Sequence, residues 1–206
     1  MKVKTKRTDI LRNSEINEML EQAEPWLQCA IALAWMFGKR INENMRLKRE
    51  DIYTDQHSLY VRFLVSKKAS RKEQPVPKPY LKRITLRNPY CKYVLEYIEN
   101  IKEGYIFPAT TKPRLKRFFD KKMNVWREYQ REGGHITPEA AYYHLKKLAP
   151  QTWWHLFRES LATEMSERGA TEEKLMHWFD WDRMDTAHEY VKHGVKLTEE
   201  YSERTW

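Results

Sequence analysis

The sequence predicts an α+β fold, mainly α-helical with a small antiparallel β-sheet or hairpin. In most of the 206 residues, apolar side chains recur every three or four positions, which is the period of an amphipathic helix. The stretch SLYVRFLVSK at 58–67 is instead rich in β-branched and aromatic residues, and KRITL at 82–86 provides a partner strand. A chain of this length can bury one sizeable core, so we expect one domain, or a large domain with an appendage.

Two helices are predicted before the sheet. Ser14 is the expected N-cap of the first, and Pro25 starts a second, more hydrophobic helix that belongs in the core. Gly38 ends this second helix, and a short helical segment, KRINENMRL, follows with Arg40 at the break. The run DIYTD at 51–55 then offers a third short strand beside the hairpin.

From Pro89 onward the pattern predicts helices only. Six segments show apolar recurrence at helical spacing, with caps or with Gly and Pro breaks between them: YCKYVLEYIENI, PRLKRFFDKKMNVWREYQR, TPEAAYYHLKKL, QTWWHLFRESLATEMSERG, TEEKLMHWF and DRMDTAHEYVKHG. The sequence contains no internal repeat and no low-complexity segment, so no strong domain boundary is predicted.

The formal net charge of +9 is concentrated in the middle of the chain. Residues 58–126 carry 17 Lys and Arg against 5 Asp and Glu, whereas residues 127–206 carry 11 against 15. Aromatic residues interleave with the basic runs KKASRK, KPYLKR and KPRLKRFFDKK, as on surfaces that follow a phosphate backbone. A solubilising charged face is the simpler explanation of such runs, but so local a surplus favours nucleic acid as the partner.

The composition excludes several classes of protein. An apolar fraction of 41% is typical of a globular chain, and no apolar run approaches the roughly 20 residues that span a bilayer. The basic N-terminus lacks the apolar centre of a secretory signal. Cys29 and Cys91 lie far apart without metal-ligand spacing, so we expect two buried thiols in a reducing compartment.

His155 and Arg158, in the stretch HLFRES, lie three residues apart and so share one face of a predicted helix. Their polar ends can reach a common point, which would suit an anion. Taken alone, the pair is more simply explained by a solvated arginine and a structural histidine. The preceding Trp153 and Trp154 would pack the helix into the core.

Three stretches, taken in order, resemble motifs of one protein family. MFGKRINENMRLKREDI resembles the G-x-R-x-x-E-x-x-x-L-x-x-x-D-I stretch of tyrosine recombinases, also called the phage integrase family, with Arg40 and Glu43 on its Arg and Glu. HLFRESLAT resembles that family's His-x-x-Arg helix. FDWDRMDTAHEY resembles the closing stretch, in which a His or Trp precedes the nucleophilic Tyr by nine residues, as Trp181 precedes Tyr190. The resemblance covers about residues 12–195 and implies the tyrosine recombinase catalytic-domain fold.

This resemblance assigns catalytic roles to several residues. Arg40 and Arg158 would clamp the non-bridging oxygens of a scissile phosphate, and Tyr190 would be the nucleophile. His155 would accept or return the proton, since its charge changes near neutral pH. Trp181 would donate its indole N–H to a phosphate oxygen.

A lysine on the β-hairpin protonates the leaving 5′ oxygen in this family. Lys67 and Lys68 both match that position at the predicted turn, and we favour Lys68. Basic residues of the middle segment are candidates for contact with DNA: Lys67, Arg71, Lys72, Lys116 and Arg117.

The implied reaction is a transesterification on double-stranded DNA. Tyr190 would form a 3′-phosphotyrosyl link, which a 5′ hydroxyl from a partner strand then reverses. No cofactor is implied, because the covalent link stores the bond energy, and the sequence shows neither a P-loop nor a cluster suited to a catalytic metal. Relatives assemble as homotetramers on two DNA sites. We expect a cytoplasmic, DNA-associated protein in the host of a virus or mobile element, with no membrane partner.

The chain also departs from the family pattern. Glu159 follows the second Arg where relatives commonly have His, and FDW replaces the usual Gly-His pair. We expect a basic arm over 1–12, the catalytic domain over 13–195, and a tail over 196–206 that is exchanged between protomers or packs on its own domain. The family's N-terminal DNA-clamping domain has no counterpart in this sequence, which fits a catalytic fragment or a short relative.

Three other functions stay open. A recombinase-like DNA-binding module with an inactive site would keep the fold without the chemistry. A type IB topoisomerase-like enzyme would apply similar chemistry to a single duplex. The basic, aromatic-rich middle would also suit a helical RNA-binding protein.

Overall fold

Helices dominate the computed structural model, which describes residues 10–64, 79–109, 115–120, 123–130 and 134–191. Three helices precede the main sheet: α1 (Asn13–Gln22), α2 (Pro25–Phe37) and α3 (Ile41–Met45). Five follow it: α4 (Cys91–Ile98), α5 (Pro138–Leu148), α6 (Trp154–Glu167), α7 (Glu172–Phe179) and α8, described over 184–191. The predicted α+β fold is therefore confirmed.

The main sheet has three antiparallel strands in the order β1, β2, β3. They span β1 (Ile52–Thr54), β2 (Ser58–Leu64) and β3 (Pro79–Thr85). Alternate residues of β2, namely Leu59, Val61 and Phe63, are buried, as the two-residue period of a strand requires. Val61 pairs with Lys82 across β3, so that lysine shares the inward face of the sheet. The predicted hairpin with a third short strand is confirmed.

A second hairpin replaces a predicted helix. The segment PRLKRFFDKKMNVWREYQR contains β4 (Leu115–Asp120) and β5 (Val125–Gln130), which pair antiparallel. Asn124 has φ +52°, a left-handed conformation that suits a turn and not a helix interior. Phe119 pairs with Trp126 across the strands, and their ring centroids lie 5.5 Å apart. The helical expectation was wrong because several apolar residues of this segment, such as Phe119, Val125 and Trp126, favour strands although they recur at helical spacing.

The first helix begins two residues earlier than a Ser14 cap requires. Arg12 is its N-cap, and the backbone N–H of Arg12 donates to Glu15 Oε2 over 2.9 Å. A carboxylate three residues inside the helix reaches back in this way in a capping box. Ser14 therefore lies in the first turn, and the prediction of a serine cap was wrong.

The apolar interior is divided into a main core and a smaller C-terminal cluster. Helix α2 crosses the main core with ten buried residues, which include Cys29, and Cys91 of α4 is buried as well. The smaller cluster, here the C-terminal cluster, contains Ala162, Leu175, Phe179 and Ala187 from α6, α7 and α8. Within the described residues, no helix is both long and apolar enough to cross a membrane.

Candidate active site

Arg40 lies at the junction of α2 and α3. Gly38 ends α2 with φ +59°, and Arg40 takes the extended N-cap position of α3. Arg40 Nη1 lies 3.2 Å from Glu43 Oε1, and the Arg40 backbone N–H donates to Glu43 Oε2 over 3.2 Å. Glu43 is buried, whereas the Arg40 side chain is 36% exposed. Glu43 thus holds one terminal nitrogen of the guanidinium, while part of the Arg40 side chain remains exposed to solvent.

Arg158 is buried in α6, with 3% of its surface exposed. Its Nη1 donates to Gly38 O over 2.7 Å, and its Nη2 donates to Phe179 O over 2.6 Å. Burial, together with the positive charge of Arg40, lowers the pKa of Arg158 to about 10. The two arginines therefore form a site of concentrated positive charge that a bound anion would stabilise.

Tyr190 and Trp181 lie beside this pair. The Trp181 ring stacks on Tyr190 with centroids 5.2 Å apart, and on Phe179 at 4.8 Å. The Arg158 guanidinium carbon lies 5.4 Å from the centroid of the Trp181 ring. Ser166 Oγ donates to the carbonyl oxygen of Tyr190 over 2.8 Å and attaches α8 to α6. The fold thus brings Arg40, Arg158, Trp181 and Tyr190 into one region.

His155 is far more exposed than Arg158, which follows it one turn later on α6. It occupies the first turn of the helix, its side chain is 59% exposed, and its Nε2 lies 3.6 Å from Glu159 Oε1. Trp154, its neighbour, is buried, as expected of a residue that packs the helix into the core. A common anion contact of His155 and Arg158 stays a prediction.

The remaining predicted residues fall mostly outside the described part of the chain. Lys67, Lys68, Arg71 and Lys72 lie within 65–78, and the side chain of Lys116 is also outside it. Arg117 is exposed on β4, and it stands opposite Glu128 in the strand register of β4 and β5. Their roles on DNA stay predictions.

Sequence reasoning missed a buried ionic cluster next to this site. Lys39 Nζ pairs with Asp180 Oδ2, and Lys82 Nζ lies 3.0 Å from Asp180 Oδ1. The exposed fractions of the three side chains are 1% for Lys39, 6% for Asp180 and 7% for Lys82. The one sequence signal was that Asp180 replaces the glycine of the resembled motif; the placement of Lys82 opposite Val61 on the inward face is known only from the strand register.

Known proteins share both sequence features and the fold with this chain. The model of the phage integrase family matches residues 9–196, which is most of the chain. The chain belongs to the phage integrase family. None of the curated proteins is similar to it at a significant level.

Several solved structures share the fold of this phage integrase family member. The XerH site-specific recombinase bound to difH substrate has a TM-score of 0.61 at 14% identity, covering 88% of this chain and 49% of that chain. For the XerA recombinase the TM-score is 0.60 at 14% identity, covering 96% and 64%. For the Tn1549 transposon integrase in complex with circular intermediate DNA it is 0.59 at 13%, covering 92% and 62%. The chain therefore spans about half the length of the XerH structure.

Proposed function

We propose that this chain is a site-specific DNA recombinase or integrase that cleaves and rejoins double-stranded DNA through a 3′-phosphotyrosyl intermediate on Tyr190. One observation carries the proposal: the buried guanidinium of Arg158 lies in the positive field of Arg40 and next to the stacked Trp181 and Tyr190. Family membership supports the reaction class. The XerH and Tn1549 structures were solved with DNA, which supports duplex DNA as the substrate.

The arginine pair suits the charge that develops during phosphoryl transfer. Attack on a phosphodiester places extra negative charge on the non-bridging oxygens, and guanidinium forks bind such oxygens in a bidentate manner. Two of the five N–H groups of Arg158 are directed to Gly38 O and Phe179 O, which fixes the plane of the fork. The remaining N–H groups would donate to the scissile phosphate together with those of Arg40.

The proposed chemistry needs one nucleophile and two proton transfers. Tyr190 Oη attacks phosphorus, its proton passes to His155, and the bond from phosphorus to the 5′ oxygen breaks. Lys68 supplies the proton that this leaving oxygen takes up, and Trp181 donates its indole N–H to a phosphate oxygen. A 5′ hydroxyl then attacks the phosphotyrosyl link, and the same groups act in reverse. No cofactor takes part in this scheme.

Recombination also requires two DNA sites to be held together. We propose a homotetramer assembled on two DNA sites, in the cytoplasm of a cell that hosts a virus or mobile element. A monomer free in solution is compatible with this scheme, because DNA would bring the copies together.

A nicked suicide substrate tests the proposal. The protein is incubated without metal on nicked duplexes carrying candidate sites, and denaturing gels reveal any covalent protein–DNA band. We expect a band with the wild type and none with Tyr190→Phe, because phenylalanine keeps the ring stacked on Trp181 but has no oxygen to attack with.

Tyr143→Phe is the matched control, because Tyr143 is a 67% exposed tyrosine on α5. A band that persists in Tyr190→Phe would rule out Tyr190 as the nucleophile. DNA binding without any covalent product would favour a DNA-binding module with an inactive site. Relaxation of one supercoiled duplex without joining of two sites would indicate a topoisomerase-like enzyme.

A further inference from the structure

The buried cluster of Lys39, Asp180 and Lys82 joins three separate elements of the fold. Lys39 follows the end of α2, Lys82 lies on β3, and Asp180 ends α7. Each carboxylate oxygen of Asp180 binds a different lysine, Oδ2 binding Lys39 and Oδ1 binding Lys82. Contacts on both oxygens fix the rotation of the carboxylate, so Asp180 has one orientation relative to α2 and β3.

The C-terminal end of α7 is the point at which these cations converge. Lys82 Nζ donates to His177 O over 2.6 Å, and Arg158 Nη2 donates to Phe179 O over 2.6 Å. The last carbonyl groups of a helix have no partner within the helix and carry partial negative charge, which favours cations there. The backbone of Asp180 has a left-handed conformation, with φ +53°, which Asp and Asn adopt more readily than most other residues.

The segment after Asp180 carries the residues proposed for the chemistry. Trp181 follows directly, and Tyr190 stacks on it from α8. Both rings pack on the C-terminal cluster, which is separate from the main core that surrounds α2. The position of this segment relative to Arg40 therefore depends on its contacts with α6 and on those that join α7 to the α2 end and to β3.

We propose that Asp180 is a positioning residue: by binding Lys39 and Lys82 it holds the segment 181–190 beside Arg40 and Arg158. This inference rests on the proposed role of Tyr190 as nucleophile. Lys39 and Arg40 are adjacent in the chain, so the same contact that fixes α7 also fixes the loop that carries the first arginine. Asp180 is thus a second link between the two halves of the site, beside the hydrogen bonds of Arg158 to Gly38 O and Phe179 O.

An ionic link suits this task better than apolar packing would. Replacing a buried ion pair by apolar residues is often neutral for stability, so net stabilisation does not explain why three charges are buried here. Charged hydrogen bonds are directional, whereas apolar contacts tolerate sliding. A shift of about 1 Å in a catalytic group can cost about a hundredfold in rate, so fixing the direction of α7 has a large effect on cleavage.

Two substitutions of Asp180 separate the role of its charge from that of its backbone conformation. Asp180→Asn keeps the size and the tolerance of a left-handed backbone but removes the charge, and Asp180→Gly favours that backbone while removing both contacts. We expect both to slow single-turnover formation of the covalent complex about ten- to a hundredfold, with DNA affinity within about twofold of wild type.

Amide hydrogen exchange supplies a readout that does not depend on activity. We expect exchange at 181–191 to become at least about tenfold faster in both variants, while exchange in α1 stays unchanged. Asp51→Asn is the matched control, because Asp51 is another buried carboxylate, with Oδ1 2.9 Å from Arg62 Nε. It directly precedes β1, the edge strand opposite β3, which carries Lys82. This substitution should alter neither the exchange at 181–191 nor the cleavage rate.

Lys39→Met is the milder variant if the Asp180 variants do not fold, because Asp180 then keeps Lys82 as a partner. It should change the rate and exchange in the same direction by a smaller factor. Because Lys39 acts through Asp180, the double variant Lys39→Met, Asp180→Asn should be no slower than Asp180→Asn alone.

The two proposals fail in different ways. Rates and exchange no different from those of Asp51→Asn, or full activity in Asp180→Gly, would overturn the positioning role. If the wild type forms no covalent complex at all, the proposed function fails. Exchange at 181–191 then still decides whether Asp180 holds this segment.

Discussion

Arg158 and Gly38 are 120 positions apart in the sequence, yet Arg158 Nη1 donates a 2.7 Å hydrogen bond to the carbonyl oxygen of Gly38. Gly38 ends α2, so this carbonyl is one of the helix groups without a partner inside the helix. The same guanidinium bonds to Phe179 O at the end of α7. A single arginine therefore joins the ends of two helices that lead to Arg40 and to Trp181.

Arg158→Lys should destabilise the fold although the charge is kept. One ammonium group cannot reproduce a planar fork directed at two carbonyl oxygens, and a buried acceptor left without a donor costs about 1–3 kcal/mol. Urea denaturation should show a decrease of that size in the free energy of unfolding. Arg168→Lys is the control, because Arg168 is 73% exposed at the end of the same helix and should change stability by less than about 0.5 kcal/mol.

Gly38→Ala should lower the stability of the fold more than the same substitution at Gly169. Both glycines have positive φ, +59° and +83°, so alanine strains each backbone by about 1–2 kcal/mol. A Cβ at Gly38 would clash with Phe179 Cε1, whereas a Cβ at Gly169 would meet nothing within 4 Å. Overpacking adds about 1–3 kcal/mol at Gly38 only. Equal losses in thermal unfolding would show that Phe179 moves aside without cost.

The protein should become more stable as the pH rises above about 8, because the buried side chain of Lys39 then loses its charge. Burial lowers the pKa of Lys39 from 10.5 to about 8, so between these values the unfolded chain binds a proton that the folded protein has released. The free energy of unfolding therefore rises with pH across this window, by on the order of 3 kcal/mol for this group. Below pH 8 the lysine is protonated in both the folded and the unfolded state, and the full cost of burying its charge is present.

Lys39→Met isolates this contribution from those of other groups that titrate at alkaline pH. Denaturation curves of wild type and variant, measured at intervals from pH 7.5 to about 10, give the difference in unfolding free energy. We expect that difference to change in favour of the wild type as pH rises. A difference independent of pH would mean that Lys39 keeps an ordinary pKa in the folded protein.

Both cysteines should resist alkylation in the folded protein. Cys29 and Cys91 are buried, and burial raises the pKa of Cys29 above the ordinary range and that of Cys91 to about 11. The thiolate is the reactive form, so a thiol reagent at pH 8 should label neither residue until the protein unfolds. Labelling in urea, followed by mass spectrometry, provides the fully reactive reference. Fast labelling of Cys29 under native conditions would mean that α2 is accessible.

The main elements could be predicted because each carries its own local signal. The alternation of Leu59, Val61 and Phe63 encodes a half-buried strand, and Gly38 encodes the end of α2. The segment 113–131 could not be assigned in this way, because its apolar residues recur at helical spacing while several of them favour strands, and the turn at Asn124 has no glycine to indicate it. Pairing between β4 and β5 decided the structure of this segment.

By itself, the sequence determined the family, through the order and spacing of the motifs around Arg40, Arg158 and Tyr190. Only the tertiary structure decided which charges share the site. Lys39, Lys82 and Asp180 are far apart in the chain and look like ordinary surface residues, but the fold buries all three in mutual contact. The physical reason is that burial and ion pairing depend on long-range packing, which no local spacing encodes.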